Sequence, residues 1–556
     1  MREIQTLANR NSYSSSAAPE PLLGMTYGQI VDAMAEIRGN DIFISDLGAG
    51  VSVTFRQFKE RVDAVARSLI ALGVKKGDRV AMLGMNNADW VLIQFAAPSI
   101  GAWFVNLNAA FPEKQLGRML KHCDPTVVFS QSHFSRSNYF EMLGNIYGAE
   151  RATDKKSANN DPILVSMEGL DSPDGFQDWS SFIETGASVT AQDLQARKDA
   201  VDFDDINMIC YTGGTSGILK AALRTHLSCI TSPYKAVVAL GLDFDSVICT
   251  SFLFFHTAGM NAGSTLSMVA GARLVIPSPS FDATATLHAL VDEGCTHYSG
   301  IPTSIKALLD HSEFDGDKLK LRTATTGAAG CTEELMERAR VNMGITLCIS
   351  YGGTEAGTLS MTVATDTAVK QVTTVGRVAF HSEAKVIDPQ TGYIVQRGVK
   401  GEVCSRGPSV MRGYFRAPEL TASVMDSDNW YHSGDQGLMD DEGYLQIVGR
   451  LDDMIIRGGE NVQPTEVEDV VRKWPGVIDV QVVGVPDAKF GHEIAAWVVM
   501  EGALDEQGLR DHCKADLAFY QVPRWFHAID AFPMTGVGKP DRMKLGQLAI
   551  GKAQAE

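Results

Sequence analysis

Short apolar runs of strand character recur through the first three hundred residues, and stretches of helical spacing separate them. Arg79 to Gly84, Phe104 to Leu107, Thr126 to Ser130, Asn207 to Tyr211 and Ala272 to Pro277 are such runs. Between two of the turns, Thr54 to Val74 repeats its apolar residues at the i, i+3, i+4 spacing of an amphipathic helix. Strands that alternate with helices pair mostly in parallel, because each crossover helix returns the chain to the same end of the sheet. The fold class is therefore α/β. With 556 residues, 45% of them hydrophobic, the chain can bury more than one core.

The pattern changes along the chain. The apolar stretch from Val91 to Leu107 is broken by Gln94, Pro98 and Gly101, so it reads as buried helix, turn and strand rather than a membrane span. The polar stretch from about 150 to 200 reads as an irregular surface insertion. Beyond about 370, Glu383 to Asp388, Gly401 to Cys404 and Gly443 to Arg450 read as strands of a β-rich subdomain. A new unit then begins, with a helix over Pro464 to Trp474 and strands over Val477 to Val485 and Glu493 to Met500. The polar junction Arg450-Leu451-Asp452-Asp453 divides a large N-terminal domain, 1–449, from a small α+β domain, 450–556.

Charge and cysteine usage exclude several classes. The formal net charge of −18 offers no basic face to a nucleic acid. Nine cysteines, none two residues from another, argue against a disulfide framework or a zinc ribbon. They read as buried thiols of a reducing compartment. The N-terminus lacks the apolar run of a secretory signal, which places the protein in the cytoplasm.

The segment with the clearest chemistry is Tyr211 to Lys220, YTGGTSGILK. A strand runs into Thr212, Gly213, Gly214, Thr215, Ser216 and Gly217, and the loop ends on Lys220. Glycines let backbone N–H groups approach an anion, hydroxyls add donors, and the lysine adds charge. It is not a Walker A loop, since no glycine directly precedes the lysine and no Ser or Thr follows it. Taken alone, the pattern fits either a phosphate cradle or a flexible surface loop.

YTGGTSGILK resembles the signature loop of the adenylate-forming superfamily, in particular its acyl-CoA synthetase branch. Leu219 and Ala221 depart from the family's preferences at the loop exit but remove no donor. Further motifs follow in the family's order, and the resemblance spans roughly residues 50 to 545. Phe254 to Gly259 is similar to an aromatic-histidine gate over an acyl pocket. Gly327-Ala328-Ala329-Gly330 and Tyr351-Gly352-Gly353-Thr354-Glu355 resemble the adenine and magnesium motifs. Tyr431 to Asp435 resembles the ribose site, and Gly449 to Asp453 places Arg450 at ATP and Asp452 at the hinge. Gly458-Gly459-Glu460 looks like the loop lining a coenzyme A channel. Pro533 to Lys539 resembles the catalytic-lysine loop, with Met534 where the family often has Arg.

The resemblance implies a large domain of α/β sheets with a β-rich subdomain, followed by a small mobile C-terminal domain. It implies ATP, Mg2+ and coenzyme A, with Thr215 and Glu355 at the metal and Lys539, Thr215 and Glu355 as the catalytic residues. His256, Met260, Gly300, Ile301, Gly327 and Gly352 would line the acyl pocket. They are apolar or small, apart from His256, and suit a medium-chain fatty, cyclic or aryl acid. No carboxylate stands beside His256 in Phe254 to Gly259, so an α-amino acid's ammonium would lie buried and unpaired. Homodimers are common in the family. Three alternatives remain at this point: delivery to a separate acyl carrier protein, a non-catalytic nucleotide- or acyl-binding homologue, and a luciferase-like oxygenase.

Overall fold

The apolar runs of the sequence form the centres of two parallel-rich sheets. The computed structural model describes residues 10–16, 20–134, 137–148, 161–168, 172–212, 220–327, 331–451, 453–457, 460–487, 489–535 and 539–553. Among the described residues the first sheet runs Phe176–Gln177, Ile163–Ser166, Val127–Ser130, Arg79–Leu83, Trp103–Asn106, Ile206–Thr212, Lys220–Thr225 and Gly413–Tyr414. The first six are parallel, and the last two are added antiparallel. The second sheet runs Arg377–Val378, Gly357–Met361, Leu347–Gly353, Thr323–Gly327, His297–Ser299, Val247–Thr250, Arg273–Ile276, Ile42–Asp46 and Val51–Thr54. Its six members from Leu347–Gly353 to Ile42–Asp46 are parallel.

Helices fill the space between these sheets. The helix Phe55–Ala71 starts at Thr54, whose side chain accepts from the Gln57 N–H while Gln57 returns a bond to the Thr54 N–H. This capping box satisfies two donors that a helix start otherwise leaves open. The buried face carries Phe55, Phe58, Val62, Val65, Ala66 and Leu69 at helical spacing. Phe43, Phe55, Phe58 and Phe95 pack ring to ring at 4.8 to 5.7 Å. The broken apolar stretch near 91 forms the buried helix Ala88–Ser99, a turn at Gly101 and the strand Trp103–Asn106, as expected. Among the described residues no helix is long and apolar enough to cross a membrane.

One sequence expectation is overturned. The stretch from about 150 to 200 is not a surface insertion throughout, although residues 149–160 lie outside the described part. Ile163–Ser166 is a parallel strand beside Val127–Ser130, with Leu164 and Val165 buried. The helix Trp179–Thr185 follows, and its Phe182 packs edge-on against Phe129 at 5.1 Å. A four-residue strand with polar flanks is too short to show a period, which explains the misreading.

The third sheet is antiparallel, in the order Tyr13–Ser16, Ser382–Ile387, Gly401–Arg406, Tyr431–Met439 and Leu445–Arg450. A new sheet begins at Ile455–Arg457, which pairs with Glu460–Val462 and Gly491–Met500. Val477–Asp487 and Trp525–Ala528 flank Gly491–Met500 on its two sides. The helices Pro464–Val471 and Arg542–Ala553 are tied by Arg542 on the buried Glu468 at 2.8 Å.

The second and third sheets meet around one lysine. Lys235, on the helix His226–Leu240, donates to the Thr358 carbonyl at 2.9 Å, to Ser409 Oγ at 2.7 Å and to Ser382 Oγ at 2.5 Å. Those acceptors belong to the second sheet, a loop and the third sheet. Burial, helped by the Arg224 charge, lowers its pKa from 10.5 to about 7. Between those two values the unfolded chain holds a proton that the folded chain has released, so stability rises with pH across that window. From pH 7 to 9 this contribution amounts to about 2 kcal/mol. Lys235→Met should be less stable than the parent and should lose that part of the rise. Denaturation of both proteins at pH 7 and pH 9 checks this; parallel pH dependence would refute it.

Candidate active site

The parallel strands Val247–Thr250, His297–Ser299, Thr323–Gly327 and Leu347–Gly353 are successive neighbours, so their carboxyl ends share one edge. In open α/β sheets that edge is where ligands bind. Gly300, Gly327 and Gly352 all lie along it. At Gly300 a Cβ would meet the hydroxyls of Ser304, Tyr298 and Ser251 at 2.5 to 2.8 Å. Ile301 caps the helix Pro302–Leu309 beside it.

Leu347–Gly353 turns back through a short hairpin in which Gly353 pairs with Gly357, leaving Glu355 at the tip. The return is so close that a Cβ on Gly352 would lie 1.9 Å from the Gly357 carbonyl oxygen. Only glycine fits there. Glu355 Oε1 accepts from the Tyr414 hydroxyl at 2.8 Å and from Thr212 Oγ1 at 3.4 Å. The fully buried Arg224 holds the adjacent peptide through the Thr354 carbonyl at 3.0 Å. Thr354 Oγ1 lies 3.2 Å from Thr257 Oγ1, which links this tip to the segment after His256.

The glycine loop belongs to a second hairpin. Thr212 at the end of Ile206–Thr212 pairs with the half-buried Lys220 at the start of Lys220–Thr225. The loop therefore leaves and rejoins the sheet next to Glu355. Gly213, Gly214, Thr215, Ser216 and Gly217 themselves lie outside the described residues, as do Ala328, Ala329, Asp452, Gly458 and Gly459. The exposed Glu460 pairs with Arg457 across the hairpin that contains the last two.

Asp435 projects from the third sheet into the same cleft. Its Oδ2 accepts from the Tyr351 hydroxyl at 2.6 Å, and its Oδ1 lies 3.1 Å from Arg450 Nη1. Burial raises the Asp435 pKa, while Arg450, Tyr351 and Lys539 oppose the rise. Lys539 reaches this cleft from the C-terminal domain. Its side chain is exposed to solvent. Burial and the Arg450 charge lower its pKa, and Asp435 raises it.

His256 lies close enough to Lys539 to feel its charge. Its Nε2 is sealed from solvent without a hydrogen-bond partner in the described structure. Burial, and then the Lys539 charge, lower its pKa to about 4, so the imidazole is neutral at neutral pH. Met260 opens a π-helical turn, Met260–Ser264, and is buried in the main core. Phe254 and Phe255 are core residues as well.

The structure thus brings together Thr212, Lys220, Tyr351, Thr354, Glu355, Asp435, Arg450 and Lys539, with His256 alongside. Sequence reasoning missed Tyr414 and Arg224. Tyr414 is 59 positions from Glu355 and Arg224 is 130 from Thr354, so no local pattern connects them.

Comparison with known proteins gives a consistent picture. The AMP-binding enzyme family matches residues 31–415, and the AMP-binding enzyme C-terminal domain matches residues 466–539. YngI of Bacillus subtilis (strain 168), an acyl-CoA synthetase by name, is 32% identical over 95% of this chain and 98% of its own. The mitochondrial medium-chain acyl-CoA ligase ACSF2 of Danio rerio is 31% identical over 96% of this chain and 90% of its own. ATP-bound MatB from Rhodopseudomonas palustris superposes with a TM-score of 0.81 at 25% identity, covering 95% of this chain and 99% of that one.

The Tyr414–Glu355 contact is testable. A hydrogen bond to a charged group contributes about 1.5–3 kcal/mol. Tyr414→Phe should therefore slow ATP–pyrophosphate exchange by about 10-fold or more, with little change in melting temperature. An unchanged exchange rate would show that Glu355 does not depend on this hydroxyl.

Proposed function

The chain belongs to the AMP-binding enzyme family, and on that premise we propose how its cleft joins a carboxylic acid to coenzyme A at the expense of ATP. The enzyme is an AMP-forming acid–thiol ligase. A carboxylate resists a thiol because its charge repels the nucleophile and its oxygen leaves badly. Attack of the carboxylate oxygen on the α-phosphate of ATP expels pyrophosphate and forms the acyl-adenylate. The thiol of coenzyme A then attacks the acyl carbon, and AMP leaves with the oxygen. The first step is mainly positioning and charge neutralisation.

The observation that carries the assignment of roles is the position of Lys539, which shares one cleft with Asp435, Arg450 and His256. In that place Lys539 bridges the acyl carboxylate and the α-phosphate. Asp435 accepts from the ribose hydroxyls, and Arg450 adds positive charge nearby. Gly327, Ala328, Ala329, Tyr351, Gly352, Gly353 and Thr354 form the adenine side. The loop from Thr212 to Lys220 holds the pyrophosphate end. Glu355 suits a hard cation, because Tyr414 fixes Oε1 while Oε2 makes no hydrogen bond among the described residues. Mg2+ held by Glu355 and Thr215 would neutralise phosphate charge.

For the second step we assign a rotation of the small domain about Asp452, with the domains meeting at 450–453. Lys539 then withdraws, and Gly458, Gly459 and Glu460 line the path of coenzyme A. His256, Met260, Gly300, Ile301, Gly327 and Gly352 surround the acyl group. The acid is a medium-chain fatty, cyclic or aryl acid, a reading supported by the neutral His256 and by the medium-chain name of the zebrafish relative. The nine free thiols suit a reducing compartment, the cytoplasm in this reading.

Separating the half-reactions tests these assignments. Lys539→Ala should lose acyl-adenylate formation by about 100-fold or more. It should still convert pre-made acyl-adenylate and coenzyme A to thioester. Near-normal pyrophosphate release by the variant, over a panel of carboxylic acids, would make Lys539 a bystander. Thioester appearing only on an added acyl carrier protein would change the acceptor.

A further inference from the structure

The third sheet contains a bulge at the place where Asp435 leaves it. Across the paired strands Gly401–Arg406 and Tyr431–Met439, Glu402 stands opposite Gln436 and Cys404 opposite His432. Val403 alone therefore spans Ser433, Gly434 and Asp435. Such a bulge takes backbone groups off the ladder, and each needs a new partner.

Side chains supply those partners. Ser433 Oγ donates to the Val403 carbonyl at 2.6 Å and accepts the Asp435 N–H at 3.0 Å. Glu402 Oε1 accepts the Gly434 N–H at 3.0 Å. Its Oε2 accepts from His432 Nδ1 at 3.0 Å. One carboxylate, only 9% exposed, thus grips both shoulders of the bulge. Gly434 has φ +69°, a conformation that suits glycine, and its carbonyl accepts the Leu451 N–H at 2.7 Å.

His432 is braced on its other side by Asp426, 3.6 Å from Nε2. The bond to Glu402 is the main cause of a raised His432 pKa. Cys404 Sγ lies 3.6 Å from Nδ1, and burial keeps that thiol protonated. Glu402, Cys404 and His432 bring ligand atoms within 4.8 Å of one another. Because Nδ1–H already donates to Glu402, the group is a hydrogen-bonded pair rather than a metal cage.

We propose that Glu402, braced by His432, is a positioning residue for the nucleotide: it fixes the Ser433–Asp435 bulge and so aims the Asp435 carboxylate at the ribose hydroxyls. The inference rests on the reading of Asp435 as the ribose ligand. Glu402 itself touches no substrate. A strut that only stabilised the sheet would affect every nucleotide equally. A positioning residue affects those that carry the ribose hydroxyls.

The test compares ATP with 2′,3′-dideoxyATP as substrates for the parent, Glu402→Ala, Glu402→Gln and Asp435→Asn. Glu402→Ala should raise KM for ATP about 10-fold, while KM for dideoxyATP and kcat at saturating ATP change little. Glu402→Gln keeps an acceptor for the Gly434 N–H and should recover most of the loss. If Glu402→Ala does not fold, Glu402→Asp should show the same selective rise, because the shorter carboxylate cannot span both partners. An equal rise for both nucleotides, or an unchanged KM for ATP, overturns the proposal. If Asp435→Asn also fails to discriminate the two nucleotides, the ribose assignment falls and the proposal falls with it. If Asp435→Asn discriminates and the Glu402 variants do not, only the positioning role is lost.

Discussion

The Asp435 carboxylate is where the layers of the enzyme meet. It leaves the third sheet, takes the Tyr351 hydroxyl from the second, and faces Arg450 on the neighbouring strand and Lys539 from the C-terminal domain. Burial alone would favour its neutral form, and the two cations oppose that. Burial and Arg450 lower the Lys539 pKa, and Asp435 raises it. Arg450, Lys539 and Lys220 thus gather around Asp435 and Glu355 on a chain of formal net charge −18. Low-dielectric walls focus such a field, so an anion entering the cleft finds charges already in place.

Much of this was legible in the sequence because it is local. Helical spacing gave Phe55–Ala71, and the strand before the glycine loop was plain from Asn207 to Tyr211. The family motifs are short and contiguous, so the positions of Glu355, Asp435 and Lys539 could be read directly. What stayed hidden was either weakly patterned or distant in the chain. Tyr13–Ser16 is a polar strand that finds its place only by pairing with Ser382–Ile387. Arg224 looks like one residue of an ordinary strand, yet it is fully buried behind the Glu355 hairpin. Glu402 reads as a surface acid until the bulge opposite it is known.

These hidden contacts have a common form. The residues with proposed chemical roles sit at irregular backbone, and a buried polar side chain satisfies the groups which that irregularity leaves open. Arg224 holds the Thr354 carbonyl beside the Glu355 tip, and Glu402 holds the Gly434 N–H beside Asp435. Buried unpaired donors and acceptors cost about 1–3 kcal/mol each, so irregular backbone persists only where such partners exist. The supporting side chains are therefore as constrained as the functional ones, although no contiguous motif reveals them.

The same energetics separate the rigid part of the molecule from the part that can move. Inside the large domain, Lys235 makes its three hydrogen bonds out of reach of water, and breaking them would leave buried polar groups unpaired among the sheets. Across the junction at 450–455 the contacts are of another kind. Lys400 meets Glu466 at 2.6 Å with both side chains a third or more exposed, and Gln463 meets Gln436 at 3.1 Å. Thr465 donates to the Val448 carbonyl. The exposed ion pair is worth about 0–1 kcal/mol. A rotation of the small domain would thus give up little, while the large domain would resist distortion. Lys539 lies on the side that would move and Asp435 on the side that would stay. On the proposed roles, one cleft could then lose its lysine and keep its grip on the nucleotide, as a reaction in two steps requires.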